Sequence, residues 1–225
     1  MCTRYTLAAS RAALAALHAV LADALAEDWT PRYNVALTQR MPVLTRRDGR
    51  ATLDLLAFGL LPPPHPDRPK PAPLANARAE TVLEKPTFRG AVRHRRCLVP
   101  ADGFYEFEKQ GRTRLPHYFT LADRRPFFFA GLWEPATDLA PASFCIVTTT
   151  PNPLVAPVHD RMPVMLGPNS GPAWLGDEPL DPARLAQLCR PLNPDLMATH
   201  RVDSAVNHVR HESPDCIAPV AGLSG

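Results

Sequence analysis

Arg96-Cys97-Leu98-Val99-Pro100-Ala101-Asp102-Gly103-Phe104-Tyr105-Glu106-Phe107-Glu108 is the stretch on which the fold turns. Cys97 to Pro100 is a short apolar run with the character of a buried strand. Asp102-Gly103 is a turn signal. Phe104 to Glu108 sets aromatic against acidic side chains with the alternation of a second strand. Downstream, Gln110-Gly111 marks a hairpin turn. Three further hydrophobic, β-branched or aromatic runs follow as strands: Tyr118 to Leu121, Pro126 to Trp133 and Ser143 to Thr150. Upstream, Arg32 to Leu37 and Met41 to Thr45 read as strands, and Asp48-Gly49 is a hairpin turn into Ala51–Leu60. Thr199 to Val206 supplies a last strand.

Helices are few. Ser10 is placed to cap one running to about Ala26, with Leu14, Leu17, Leu21 and Leu25 on one stripe and His18 beside it as a structural residue. Asp181 and Pro182 open a short one ending near Cys189. Pro62 to Pro73 holds seven prolines in twelve residues and is expected to be an extended surface insertion within one domain. The expectation is an α+β fold, a single domain over 1–225, with a mostly antiparallel curled sheet or barrel-like core and a few short helices.

Composition excludes several classes. The chain has 225 residues, enough for a real core, and no apolar run of membrane-spanning length. Arg11 and Asp23 interrupt the alanine-leucine stretch near the N-terminus, unlike a secretory signal. The five cysteines (Cys2, Cys97, Cys145, Cys189, Cys216) are odd in number and scattered, with no Cys-x-x-Cys pair. That argues against a disulfide framework and a zinc site and suits a reducing cytosol; neither metal nor cofactor is expected. Net charge is +3, carried almost wholly by arginine, since Lys70, Lys85 and Lys109 are the only lysines. The densest basic stretch runs from Phe88 to Arg96 and reads equally as a solvated helix face.

Cys2 is chemically singular. Once Met1 is removed, it carries an α-amine and a thiol on adjacent carbons. The amine can form a Schiff base with an aldehyde, and the thiol can close on the imine carbon to a five-membered thiazolidine. In model peptides the amine titrates at about 7.7–8.0 and the thiol at about 8.5. Three other segments carry groups suited to imine chemistry: Asn76-Ala77-Arg78-Ala79-Glu80-Thr81, Pro100 to Glu106, and His159-Asp160-Arg161-Met162-Pro163.

Together with Cys2-Thr3-Arg4-Tyr5, Arg32-Tyr33-Asn34, Lys85 to Arg89, Arg96 to Pro100 and Ala130-Gly131-Leu132-Trp133, these segments resemble the SOS response-associated peptidase (SRAP) family of abasic-site processing proteins. The resemblance runs from Cys2 to about Trp174 and more faintly to Val206-Asn207. It implies binding of abasic sites in single-stranded DNA and a stable thiazolidine crosslink through Cys2. It also implies self-removal of Met1 (hence the peptidase name) and a lyase side reaction. The residues carried over as catalytic are Cys2, Asn76, Glu106 and His159; those carried over as DNA-binding are Arg4, Arg78 and Arg161. Phe58 and Phe107 stand where the family has tryptophan and are expected to stack on bases with less area. Thr3 stands where the family has glycine. A monomer is expected, cytoplasmic and nucleoid-associated. Two other readings stay open at this point: a cysteine-nucleophile peptidase or hydrolase without DNA crosslinking, and a non-catalytic single-stranded DNA binder.

Overall fold

The computed structural model describes residues 2–25, 29–61, 72–167 and 169–220, with only the backbone of Ala24. Ten residues of the predicted insertion, 62–71, and the expected helix end at Ala26 lie outside the described residues. In chain order the elements are β1 (Tyr5–Leu7), α1 (Arg11–Leu17), α2 (Ala19–Ala24), β2 (Arg32–Val35), β3 (Arg40–Arg47), β4 (Arg50–Phe58), β5 (Asn76–Arg78), α3 (Pro86–His94), β6 (Arg96–Ala101), β7 (Gly103–Gln110), β8 (Thr113–Leu121), β9 (Phe127–Glu134), β10 (Ser143–Thr149), β11 (Met162–Pro163), β12 (Met165–Leu166), α4 (Ser170–Leu175), α5 (Pro182–Leu188) and β13 (Met197–Arg201).

Five strands close on themselves. β10 pairs in parallel with β4, β4 with β3, β3 with β6, β6 with β9, and β9 returns to β10 (Phe144 opposite Trp133), the last four pairings antiparallel. Closure removes the exposed edges that an open sheet of this composition would present. It also explains why every residue of β6 and β10 is buried. One face of each strand fills the barrel, and the outer face is covered in turn, as where α4 packs on β6.

β10 runs on past β4. There it pairs in parallel with β5 (Ile146 opposite Asn76) and antiparallel with β11 (Thr148 opposite Pro163). A second, antiparallel sheet has the order β13-β8-β7-β1-β2. The chain passes from barrel to sheet at Asp102-Gly103, between β6 and β7. Asp102 Oδ1 accepts a short hydrogen bond from Thr6 Oγ1, and Asp102 Oδ2 accepts from the Ala8 amide at 2.7 Å, so the corner is tied to β1. Gly103 is required here: a Cβ would lie 2.3 Å from the Tyr118 ring.

The expected helix from Ser10 to Ala26 is two helices. Ser10 caps the first as foreseen, accepting from the Ala13 amide. His18 is extended (φ −160°, ψ 131°) and its Nδ1 caps the second by accepting from Val20 N–H at 3.2 Å. Leu14, Leu21 and Leu25 still reach the core. Asp48 and Gly49 both take positive φ (49° and 77°), as the tight hairpin between β3 and β4 demands. The last strand is β13, ending at Arg201; the expected continuation to Val206 is instead a 3-10 turn over Ser204–Asn207. None of the described helices is long and apolar enough to cross a membrane.

Candidate functional site

The seam between the barrel's β10 extension and the second sheet collects four of the expected residues. Cys2 leads into β1 and is fully buried. Asn76 begins β5, and its Nδ2 donates to the Cys2 carbonyl at 3.0 Å and to Ile146 O at 3.4 Å. Its Oδ1 is buried and accepts no hydrogen bond. Glu106 lies on β7, 1% exposed, and His159 Nε2 is 3.9 Å from its Oε2. Asn76 thus arrives from the parallel β5–β10 pair, Glu106 from the antiparallel sheet, and His159 from the turn before β11. The pairings of β5 and β11 with β10, and of β7 with β1, bring these three sources to the strand that follows Cys2.

Burial sets the electrostatics. Desolvation raises the Glu106 pKa from 4.5 to about 7 against the pull of the α-amino group, with the Asp160 charge adding a smaller rise, so the carboxyl is divided between its protonated and ionised forms at neutral pH. The Cys2 thiol is pushed well above its usual value, first by burial and then by the Glu106 charge. It is therefore a thiol rather than a thiolate, and its S–H points to Arg4 O at 3.8 Å. His159 is held below its usual value, chiefly by burial. The Arg161 amide donates to His159 Nδ1 at 3.0 Å, which places the proton of the neutral imidazole on Nε2, the nitrogen facing Glu106. Asp160 Oδ1 is also 3.0 Å from Nδ1, but its side chain is 83% exposed and its pull is screened by solvent. The neutral tautomer follows from the backbone contact.

The expected DNA-binding residues divide. Arg4 donates to Asn34 Oδ1 (2.6 Å), Val206 O (2.9 Å) and Asn207 O (3.2 Å). Arg161 holds Glu80 through both oxygens at 2.8 Å and Thr148 O at 2.7 Å. Both guanidinium groups are thus taken up by protein acceptors. Arg78, at the end of β5, is exposed. Phe58 is fully buried, stacked on Phe144 at 5.2 Å and edge-on to Tyr5 at 5.5 Å, so it faces the core and no base. The family resemblance implied stacking on bases at this position; closure of the barrel buries it instead. Phe107 is half-buried and lines a cavity of about 430 Å³ with Thr3, Arg4, Arg112, Arg114 and Asn207.

Arg112 and Arg114 are exposed, lie in the turn and first residues of β8 in the β7–β8 hairpin, and carry no motif of the resemblance. Their signal was local: two cations just after Gly111, Arg112 in the turn and Arg114 on β8. Thr3, where the family has glycine, lies outside the positive-φ residues, so its backbone torsion does not call for glycine.

Known proteins place the chain in a family. The family model described as SOS response associated peptidase (SRAP) matches residues 1–209. A relative named abasic site processing protein YoqW, from Bacillus subtilis (strain 168), is 37% identical over 194 residues, covering 84% of this chain and 87% of that protein. YedK from Escherichia coli (strain K12), of the same printed description, is 32% identical over 196 residues, covering 84% and 85%. A crystal structure of a protein from Bacteroides thetaiotaomicron superposes with a TM-score of 0.74 at 22% identity, covering 97% of this chain and 100% of that one. With the family model spanning nearly the whole described chain, and Cys2, Asn76, Glu106 and His159 meeting at one seam, the chain belongs to the SRAP family.

Proposed function

We propose that this protein processes abasic sites in single-stranded DNA, joining Cys2 to the ring-opened deoxyribose as a thiazolidine after Met1 is removed. One observation carries the reading: Asn76, Glu106 and His159 converge from three different elements on the residue that would bear the amine and thiol. The relatives' printed names, abasic site processing protein, point to the same lesion.

The chemistry follows from the groups. Glu106, part-protonated near pH 7, donates a proton to the ring oxygen as the sugar opens and regains one from the anomeric hydroxyl. It then donates that proton to the departing hydroxyl as water leaves the carbinolamine, the nitrogen returning its proton to the carboxylate. Asn76 Nδ2 fixes the Cys2 carbonyl, and its spare Oδ1 is an acceptor for the Cys2 amine or a sugar hydroxyl. The uncharged His159 shares the proton transfer through Nε2–H. The thiol then adds to the imine carbon, and its proton passes to the imine nitrogen. Closure competes with β-elimination of the 3′ phosphate, which is the lyase side reaction. Arg78, Arg112 and Arg114 are the exposed cations placed to meet phosphates, with Phe107 as a stacking surface.

The test is intact mass after mixing with an abasic oligonucleotide. The expected product is a 1:1 adduct that survives without borohydride, formed by protein lacking one methionine. Peptide turnover with no adduct would instead support a cysteine hydrolase. Equal binding of intact and abasic strands, indifferent to Cys2, would leave a simple DNA binder. In His159→Ala, formation and release of the adduct should both slow, because a group that aids closure also aids opening.

A further inference from the structure

His211, Asp215 and Cys216 lie in the last described part of the chain and play no part in the seam chemistry. The family match ends at residue 209, so all three lie beyond it. Their side-chain donors, an imidazole nitrogen, a carboxylate oxygen and a thiol sulfur, fall within 4.8 Å of one another. His211 Nε2 is 3.0 Å from Asp215 Oδ1, and the Cys216 sulfur is 3.6 Å from the His211 carbonyl. Around a tetrahedral zinc ion with ordinary bond lengths, nitrogen, oxygen and sulfur ligands sit about 3.3–3.6 Å apart. Small side-chain rotations therefore complete the set.

The three differ in exposure as an open site requires. Cys216 is 2% exposed and forms the floor. The His211 and Asp215 side chains are 33% and 62% exposed and form the rim, leaving room for water as a further ligand. Glu212, next to His211 in the chain, adds negative charge. Its own oxygens are held by the Tyr33 and Asn34 amides and by Arg32, so it stays a neighbour rather than a ligand.

We propose that His211, Asp215 and Cys216 bind a divalent transition metal of the zinc class, with water completing the coordination. On binding, the Cys216 S–H bond breaks, the sulfur bonds the metal, and the proton passes to solvent. His211 binds through the Nε2 lone pair with its proton on Nδ1. No electron is transferred. The site bears on the rest of the molecule through Asn34, whose Nδ2 donates to the carbonyls of His211 (2.8 Å), His208 (3.1 Å) and Val206 (3.2 Å). Asn34 Oδ1 in turn accepts from Arg4. A metal fixing residues 211 and 216 holds this segment on β2, beside the strand that follows Cys2.

The test uses reduced, chelator-stripped full chain carrying Cys2→Ala, which removes the other thiol able to chelate with an amine, and Co²⁺ as the probe. One equivalent should give a near-ultraviolet thiolate-to-cobalt absorption that Zn²⁺ abolishes. Cys216→Ser in the same background should remove the band. Asp215→Ala, a change at an exposed position, should weaken cobalt affinity by more than about tenfold with circular dichroism unchanged. The proposal fails if excess cobalt gives no such band, if the band survives Cys216→Ser, or if Asp215→Ala binds as tightly as its parent. The last arm stands even should Cys216→Ser fold poorly.

Discussion

The barrel interior and the seam beside it both bury cysteine, with opposite chemical consequences. Cys97 on β6 and Cys145 on β10 are fully buried, and desolvation raises both thiols far above their usual value. Around Cys97 stand packing partners: a Cβ on Gly131 would lie 2.7 Å from its sulfur, and Trp174 Nε1 donates to its carbonyl at 3.1 Å. Cys2 is equally buried and its thiol equally raised, but it shares its pocket with the carboxyl of Glu106 and the amide of Asn76. Burial alone makes a thiol inert. Burial next to a titratable acid and a spare hydrogen-bond acceptor makes a site, because the same desolvation that silences the thiolate tunes Glu106 to neutrality.

The largest expected effect tests that contrast directly. Cys2→Ala keeps the amine and should still give a borohydride-reducible Schiff base, but no adduct that persists without reduction. Cys97→Ala and Cys145→Ala should crosslink as stably as the parent once corrected for folded fraction, since neither sulfur neighbours an amine. Stable adduct from Cys2→Ala would end the thiazolidine reading and with it the distinction between the two regions.

Next in size is the rate of adduct formation in Glu106→Gln, expected to fall on the order of a hundredfold, the lower range for loss of a general acid. The pH profile gives the sign. Glu106 acts while protonated, so its contribution is present below about 7 and lost as pH rises through that value. The amine must be uncharged to attack, so its contribution rises with pH. The parent should show a maximum; Glu106→Gln should lose the alkaline fall and keep the acidic one. Single-turnover crosslinking from pH 5.5 to 9 reads both limbs; identical profiles would remove Glu106 from the reaction.

How much of this was legible in the sequence depended on whether a signal was local. The stretch from Arg96 to Glu108 announced two strands and a turn, and that turn is the corner joining barrel to sheet. The hairpin at Asp48-Gly49 was legible for the same reason, since glycine at positive φ is a backbone requirement visible in one residue. The break at His18 was not, because the leucine stripe continues through it and the cap depends on one side-chain rotamer. Phe58 was misplaced because barrel closure, a pairing of β4 with β10 more than eighty residues away, decides its exposure. Arg4 and Arg161 were read as free cations, while their acceptors (Val206 O, Asn34, Glu80, Thr148 O) come from remote parts of the chain. The His211–Asp215–Cys216 group has no paired-cysteine signature, and only the fold of residues 211–216 gathers its donors.

The seam should also be a place where stability is given up. Glu106 titrates at 4.5 unfolded and at about 7 folded. A raised acid pKa favours the native state while both states are protonated, below about 4.5, and that advantage is lost as pH climbs from there to about 7. At about 1.4 kcal/mol per unit the loss is on the order of 3 kcal/mol. Glu106→Gln cannot ionise, so its stability should be flatter across this window and should exceed the parent's at pH 8. Urea unfolding at pH 4.5, 6 and 8 measures it. A parallel pH dependence in both proteins would mean that Glu106 is not desolvated as its burial implies.

The smallest effect concerns the arginines, where the division between committed and available groups recurs. Arg112 and Arg114 are exposed on the cavity beside Thr3 and Phe107, whereas Arg161 is spent on Glu80 and Thr148 O. Each phosphate neutralised on a single strand contributes about 0.7 to the slope of log affinity against log salt. The double change Arg112→Ala with Arg114→Ala should therefore lower that slope by about 1.4 for intact single-stranded DNA, with thermal stability unchanged. Arg161→Ala should do the reverse. It leaves a carboxylate and a carbonyl without their donor, so the melting temperature should drop while the slope changes little. Fluorescence anisotropy at several salt concentrations, with a thermal melt of each variant, separates the two. If Arg161→Ala lowers the slope while the hairpin double variant leaves it untouched, DNA runs over the committed arginine, and the exposed hairpin is only a solvated edge of the sheet.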